Sequence, residues 1–416
     1  MPDNPQAPEI PGFVETATLV QPRPEEGSKD RTMVLNMGPQ HPSTHGVLRV
    51  VLEIDGETVV KLVPDIGYLH TGIEKTCEAK FWQQVVPLTD RIDYLCPLTN
   101  NLCYCLAGEK LLQIEIPERA QWMRVLLNEL TRLNSHLVWL GTHAMDIGAL
   151  TVFLYTFRER EEILRIFEHV SGQRMMTSYF RIGGLALDPP LDFFSSVQAL
   201  MKVLPEKIDE YENLLTGNPI FVNRLKGVGY LSAEDAVSLG VTGPPLRASG
   251  VDWDLRRDMP YSSYEKFQFK VPVSSDGDVW ARYLVRLQEM RESVKICQQA
   301  LDGMPSGPIK ADAPHVVLPD REKMKTQMEA LIYHFKIVTE GFQVPAGEVY
   351  QAVESPRGEM GYYAVSDGTA KPYRVHMRNP SFATLQALET MCMGRLIADV
   401  VAVIGSIDIV LGEIDR

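Results

Sequence analysis

Pro117-Glu118-Arg119-Ala120-Gln121-Trp122-Met123-Arg124-Val125-Leu126-Leu127-Asn128-Glu129-Leu130 opens the stretch on which the fold turns. Carried on through Leu133, Leu137 and Leu140, it repeats large apolar residues at steps of three and four from Met123. That spacing lays them in one stripe along a helix, and Pro117 suits a helix start, where its missing N–H costs nothing. The helix must bury the stripe against other elements, so the chain is expected to have a helical body.

Downstream, helical patterns are expected at about 151–170 and 193–215, separated by Gly183-Gly184 and Pro189-Pro190. A looped region with glycine and proline runs from Gly217 to Pro272. Its Gly227-Val228-Gly229 lacks the third glycine of a dinucleotide fingerprint. Helices return at 279–301 and 321–335. Strand patterns follow at 349–353, 361–365 and 373–376, with Asp367-Gly368 as the turn before the last, and a final helix spans about 382–404.

Upstream, Met33 to Val63 reads as strand, with Asp55-Gly56 as a hairpin turn. The polar loop from Asp65 to Gly72 leads into a helical stretch at Ile73. Residues 1–31, rich in proline and charge, read as an extended arm. The expected class is α+β, mostly α. One domain covers 32–416: β-rich 32–66, helical 67–340, β-rich 341–381, and a C-terminal helix and tail 382–416. No period of 20–50 residues repeats.

Composition narrows the function. A formal net charge of −13 over 416 residues, with no basic run, argues against nucleic acid. Six cysteines without disulfide spacing point to a reducing, cytosolic compartment. The apolar segment Ile397–Leu411 is too short to span a bilayer and carries Asp399 and Asp408, so membrane attachment is expected only through a partner.

Three places could carry chemistry. Gly38-Pro39-Gln40-His41-Pro42-Ser43-Thr44-His45-Gly46 holds two histidines on a stiff loop, since Pro42 and its effect on His41 oppose a helix. It reads either as a rigid turn braced by an imidazole or as an imidazole aimed into a cavity to exchange protons. Asp90-Arg91-Ile92-Asp93-Tyr94-Leu95-Cys96 reads either as a surface turn with an exposed ion pair or as a phenol poised to donate beside a fixed positive charge. Asp146 either caps the helix near Thr151 or is partly buried against a histidine. Cys103-Tyr104-Cys105 is too tight for paired zinc thiolates, and buried inert thiols are expected there.

Longer motifs add a resemblance. Leu69-His70-Thr71-Gly72-Ile73-Glu74-Lys75-Thr76-Cys77-Glu78-Ala79-Lys80 resembles the signature of the quinone-site family of respiratory complex I, the 49-kilodalton or D-subunit family. So do Gly38–Gly46, Arg91-Ile92-Asp93-Tyr94, Glu354-Ser355-Pro356-Arg357-Gly358-Glu359 and Gly412-Glu413-Ile414-Asp415-Arg416. The family is similar to nickel–iron hydrogenase large subunits, which implies a hydrogenase-like helical core with an N-terminal β-hairpin. The two Cys-x-x-Cys pairs of hydrogenases would fall at Asp93 and Cys96, and at Val410 and Glu413. With one thiol of four, the scaffold is expected to hold no metal.

The resemblance implies roles. His45 and Tyr94 would hydrogen-bond a quinone head group, Asp146 would orient His45, and Thr142 would lie one helical turn before Asp146. Arg91, Thr71 and Met176 would approach an iron–sulfur cluster carried by a neighbouring protein; Met176 stands where many relatives have a histidine. This chain would bind no cofactor. Quinone would be its substrate, while NADH, FMN and the clusters belong to partners. Those partners would be the cluster-bearing B and the C subunits, the membrane-embedded H subunit and other membrane-arm subunits, on the cytoplasmic side of a bacterial inner membrane. A hydrogen-evolving enzyme and a metal-free structural scaffold are the rival readings.

Overall fold

Period-two alternation decides the N-terminal sheet. In the computed structural model, which describes residues 32–416, strands β1 (Thr32–Met37), β2 (Arg49–Asp55) and β3 (Thr58–Asp65) pair antiparallel in that order. Val50, Leu52 and Ile54 face inward, and Gly56 takes the positive φ (61°) of the expected turn. The arm expected over residues 1–31 lies outside the described residues. Helices α1 (Ile73–Cys77), α2 (Trp82–Thr89), α3 (Pro97–Leu112), α4 (Glu118–Asp146) and α5 (Leu150–Ser171) follow.

A two-residue ladder, β4 (Phe180–Arg181) with β5 (Gly184–Leu185), precedes α6 (Phe193–Leu215). The region expected as loop condenses into short helices α7 (Pro219–Leu225), α8 (Ala233–Ser238), α9 (Pro244–Ala248) and α10 (Leu255–Asp258). Then come α11 (Val279–Gly303), α12 (Arg321–Thr326) and α13 (Met328–Glu340). A second antiparallel sheet, β6 (Gly347–Ser355), β7 (Gly358–Ser366) and β8 (Arg374–Arg378), leads to α14 (Pro380–Gln386), α15 (Leu388–Cys392), α16 (Ile397–Ile407) and α17 (Leu411–Asp415).

Helix α4 is the axis, packed on α3, α5, α11 and α16. Its stripe Met123, Leu126, Leu130, Leu133, Leu137 and Leu140 is fully buried, and one apolar core runs from Met37 to Ile414. Among the described residues no helix is long and apolar enough to cross a membrane.

Three expectations need correction. The sequence pattern shows no sign of α3, because it is buried on all sides (Leu98, Leu102, Cys103, Tyr104, Cys105 and Ala107) and has no single stripe to detect. The helix expected at 321–335 breaks at Gln327, whose backbone is extended, and its second half continues to Glu340. The helix expected at 382–404 is three helices. Between the last two, residues 394–397 pair with the first hairpin: Gly394 N donates to Val59 O (2.9 Å), Val59 N to Arg395 O (2.8 Å) and Ile397 N to Glu57 O (2.9 Å). Backbone pairing with β3 overrides the helical periodicity there.

Around α4 the core is also ionic. Arg132, Arg247 and Arg256 and the carboxylates Glu129, Asp254, Glu289 and Glu354 are all buried. Arg256 bridges Asp254 (2.7 Å), Glu289 (3.1 Å) and Glu129 (3.2 Å), while Arg247 reaches Glu354 (2.7 Å) and Glu289 (3.1 Å). Burial opposes ionisation, but the arginines outweigh it at Glu129, Asp254 and Glu289, which stay below the ordinary carboxylate range. At Glu354 the balance tips the other way: burial and the charge of Asp254 push it above the ordinary carboxylate range against the pull of Arg247 and Arg256.

Removing one partner from such a cluster strands the others without water. Arg256→Met should cost about 3–5 kcal/mol in chemical denaturation. Arg257→Met, at a neighbour whose side chain is 41% exposed, should cost about 1 kcal/mol or less. Equal losses would show that burial does not give Arg256 its weight.

Candidate active site

The two histidines of the stiff loop take different surroundings. Pro42–Thr44 forms a short 3-10 turn whose amide Ser43 N donates to His41 Nδ1 (3.2 Å), and Thr44 Oγ1 donates to His41 O (2.9 Å). His41 braces the turn. His45 closes it in the left-handed region (φ 51°, ψ 33°), a conformation costing a non-glycine residue about 1–2 kcal/mol. That bend turns its ring inward, and Nε2 lies 3.1 Å from Asp146 Oδ2, with side chains 12% and 8% exposed.

Asp146 is the last residue of α4 and does not cap α5: the residue before Leu150 is Ala149, and no side chain caps that end. The capping reading is therefore corrected. Gly148, at φ 102°, makes the bend that leaves the carboxylate facing the histidine loop. Thr142, one turn earlier, spends its hydroxyl proton on the helix carbonyls Val138 O (3.0 Å) and Trp139 O (3.1 Å).

Behind this pair lies His143, which sequence reasoning missed. It stacks on Trp139 (5.6 Å, 15°), and burial together with the charges of Arg286 and His45 pushes its pKa down to about 3. It is neutral at physiological pH. Gly405 of α16 fits against it only as glycine, since a Cβ there would sit 2.6 Å from His143 Nδ1 and 3.3 Å from Asp146 Oδ2. Trp139 Nε1 donates to Gly405 O (2.8 Å) and fixes the approach.

The second half of the site is the turn after α2. The reading of Asp90–Cys96 as a surface turn is corrected: Asp90, Asp93 and Cys96 are buried, and only Arg91 is well exposed. Ser178 Oγ donates to Asp90 Oδ2 (2.5 Å), and burial pushes Asp90 up to about 6. Asp93 Oδ2 receives Arg357 Nη1 (2.6 Å) and Cys96 Sγ (2.6 Å). Arg357 Nε also donates to Asp408 O (2.7 Å) and Nη2 to Asp408 Oδ1 (3.2 Å). Tyr94 is half-buried; burial and the Asp93 charge push its phenol above the ordinary range, so it stays protonated.

Helix α17 seals this half. A Cβ at Gly412 would meet Ile92 O at 2.6 Å and Arg91 O at 3.0 Å. Asp415 then accepts from Gly67 N (2.9 Å) and Leu69 N (2.6 Å), holding the loop that ends at the exposed Thr71. Met176 is half-buried two residues before Ser178, so the Ser178–Asp90 bond draws its segment toward Arg91. The His45–Asp146 pair and Tyr94 are linked through α16, whose Gly405 backs the first and whose following Asp408 holds Arg357 beneath the second.

The four positions that would match hydrogenase ligands do not suit a metal. Arg357 already places a cation on Asp93, 3.9 Å from Cys96 Sγ, and burial holds that thiol well above its ordinary pKa. Among the described residues no group of three or more histidine, cysteine or acidic side chains is arranged to hold a metal ion. The six cysteines are free and buried. The larger clefts lie elsewhere: one of about 840 Å³ is lined by Ile116, Leu187, Lys310 and Val317, another of about 410 Å³ by Val86, Leu185, Ile337 and Phe342. Arg357 and Glu413 stand in the family-like motifs, but nothing local marks Arg357 as the buried partner of Asp93 or Glu413 as its buried neighbour.

Comparison with known proteins agrees on one family. Residues 146–416 match the family described as respiratory-chain NADH dehydrogenase, 49 Kd subunit. The chain is 74% identical over 391 residues to the second NADH-quinone oxidoreductase D subunit of Koribacter versatilis (strain Ellin345), covering 94% of this chain and 98% of that one. It is 69% identical to the first D subunit of Solibacter usitatus (strain Ellin6076), covering 98% and 99%. To the D subunit of Geotalea uraniireducens (strain Rf4) it is 60% identical, covering 92% and 98%.

Gly412 tests how firmly α17 is seated. Because the obstructing atoms are backbone, Gly412→Ala must push the helix off the Tyr94 turn, at about 1–3 kcal/mol. Thermal unfolding at an unchanged temperature would show that the C-terminal helix can shift freely.

Proposed function

Because the chain belongs to the 49 Kd subunit family of the respiratory-chain NADH dehydrogenase, and so is part of NADH-quinone oxidoreductase, we propose that His45 and Tyr94 hold the quinone head group. The observation that carries this reading is the His45–Asp146 pair at 3.1 Å, tied through α16 to a protonated phenol. Reducing a quinone to a quinol takes two electrons and two protons. An imidazole held by a carboxylate and a phenol can each donate to one quinone oxygen and pass a proton to it. Asp146 orients the ring, and the neutral His143 behind it adds no competing charge. Thr142 lies on the same end of α4, with oxygen lone pairs free to accept.

The electrons come from outside the chain. The cluster of a neighbouring protein, which we take to be the B subunit, supplies them when bound, and Arg91, Thr71 and Met176 lie on the segments that would face it. The C subunit, the membrane-embedded H subunit and other membrane-arm subunits complete the surroundings, on the cytoplasmic side of a bacterial inner membrane. NADH and FMN are used elsewhere in the complex. A scaffold that only joins neighbours would need neither the paired imidazole nor the buried charges beneath Tyr94.

Tyr94→Phe deletes one hydroxyl from this site. A lost buried hydrogen bond is worth about 1–3 kcal/mol, so quinone reduction by the assembled complex should slow by about one to two decades. NADH oxidation with a hydrophilic artificial acceptor should continue at the normal rate. Unchanged quinone kinetics would remove Tyr94 from the site. Asp146→Asn should also slow the quinone step while leaving thermal stability nearly unmoved, since Asp146 caps no helix; a large stability loss with normal kinetics would reverse that assignment.

A further inference from the structure

Beneath Tyr94 three buried carboxyl groups share one guanidinium. Asp93 and Asp408 each bond Arg357, at 2.6 and 3.2 Å. Glu413, on α17, is completely buried and makes no ion pair among the described residues. Its Oε1 accepts from Ser381 N (3.0 Å), while Oε2 has no partner at all. With all three groups ionised, three negative charges would lie around the guanidinium of Arg357 away from water, which is costly. The resting cluster therefore keeps one proton, and the carboxyl without a cation is the one to hold it.

We propose that Glu413 stores this proton and returns it to Tyr94 after the phenol has given its own to the reduced quinone. The proposal rests on the reading of Tyr94 as a head-group donor. Placement supports it: Gly412, the residue before Glu413, lies so close that a Cβ there would touch the Tyr94 ring at 3.4 Å. Burial and the charge of Asp93 push Glu413 up to about 8 against the pull of Arg357, while the phenol is held above its own ordinary range. The phenolate is therefore the stronger base, and transfer runs downhill. The carboxyl and the phenol are not in direct hydrogen-bond contact, so the proton crosses on a bridging water: the O–H bond of the carboxyl breaks, the water takes that proton and gives one of its own, an O–H bond forms on the Tyr94 oxygen, and no electron moves. The ionised Glu413 beside Asp93 then regains a proton from solvent.

The groups facing Glu413 are Asp93, Tyr94 and Cys96 on the turn after α2, Arg357 on the β6–β7 turn, and Ser381 and Asn379 at the start of α14. Asp408, itself influenced by Arg286 of α11, acts through Arg357. Because the folded-state pKa is raised, the store is full below about 8 and empties as pH rises through that value.

The test uses the assembled complex and infrared difference spectra taken on quinone reduction, with glutamate carrying a carbon-13 carboxyl. The expected result is a protonated-carboxyl band that shifts with the label, fades on the alkaline side and changes when quinone is reduced. Glu413→Gln should abolish the band, slow quinone turnover about tenfold and remove the alkaline limb of its pH profile. Glu413→Asp should restore part of both. A labelled wild-type complex with no glutamate-derived carboxyl band overturns the proposal even if the variant fails to assemble. So does a Glu413→Gln complex with the band and pH profile intact. Tyr94→Phe separates the two readings. It should leave the resting band in place and abolish only its change on reduction, whereas normal turnover in Tyr94→Phe would instead remove the premise about Tyr94.

Discussion

The guanidinium of Arg357 fixes the place where the turn after α2 meets the C-terminal helices. From the β6–β7 turn it reaches Asp93, 264 residues earlier, and Asp408, 51 residues later. All three are buried, so each bond replaces water that folding has removed, and a missing partner would leave a bare charge behind. Their mutual fit sets the position of the Tyr94 turn, because Asp93 is the residue before the phenol. It also seats the C-terminal helix, which touches that turn at Gly412 and reaches on through Asp415 to residues 67–69.

A second set of buried charges gives the helical body its register. The apolar stripe of α4 would tolerate small slips, since one leucine can replace another against the same neighbours. Glu129, Arg132 and His136 lie on the same helix and are just as buried, and they meet partners on α10, α11 and β6 with fixed geometry. A slip of one residue would strand them. The weakly patterned region 217–272 matters for this reason: it delivers Arg247 and Arg256 into the centre of the molecule.

How much of this the sequence discloses depends on where the deciding partner lies. The Asp55-Gly56 hairpin and the helices at 150–171, 193–215 and 279–303 are legible because their signals are local: a turn dipeptide, or an apolar face of period 3.6. Helix α3 is not, since burial on all sides erases the period, and the break before α16 is set by strand β3, more than 300 residues away. At the site, the types His45, Tyr94 and Asp146 stood out as chemistry. Their surroundings did not: a buried Asp93 looks like a surface turn until Arg357 arrives from elsewhere, and Asp146 looks like a cap until the left-handed bend at His45 brings an imidazole to it.

Helix α16 explains why these distant pieces can act together. Its Gly405 leaves room for His143 and Asp146 on one side, and three residues later Asp408 anchors Arg357 on the other. A hydrogen-bonded helix end hardly stretches, so α16 holds the supports of the imidazole and of the phenol on one stiff segment. In the proposed reading, two donors carried in this way suit a substrate with two oxygens. In the proposed reaction the protons come from this chain and the electrons from a neighbour. In that reaction the chain needs groups at the site that can give and regain protons more than it needs a redox centre of its own, while the arginine-bound carboxylates around α4 stay charged and hold the frame.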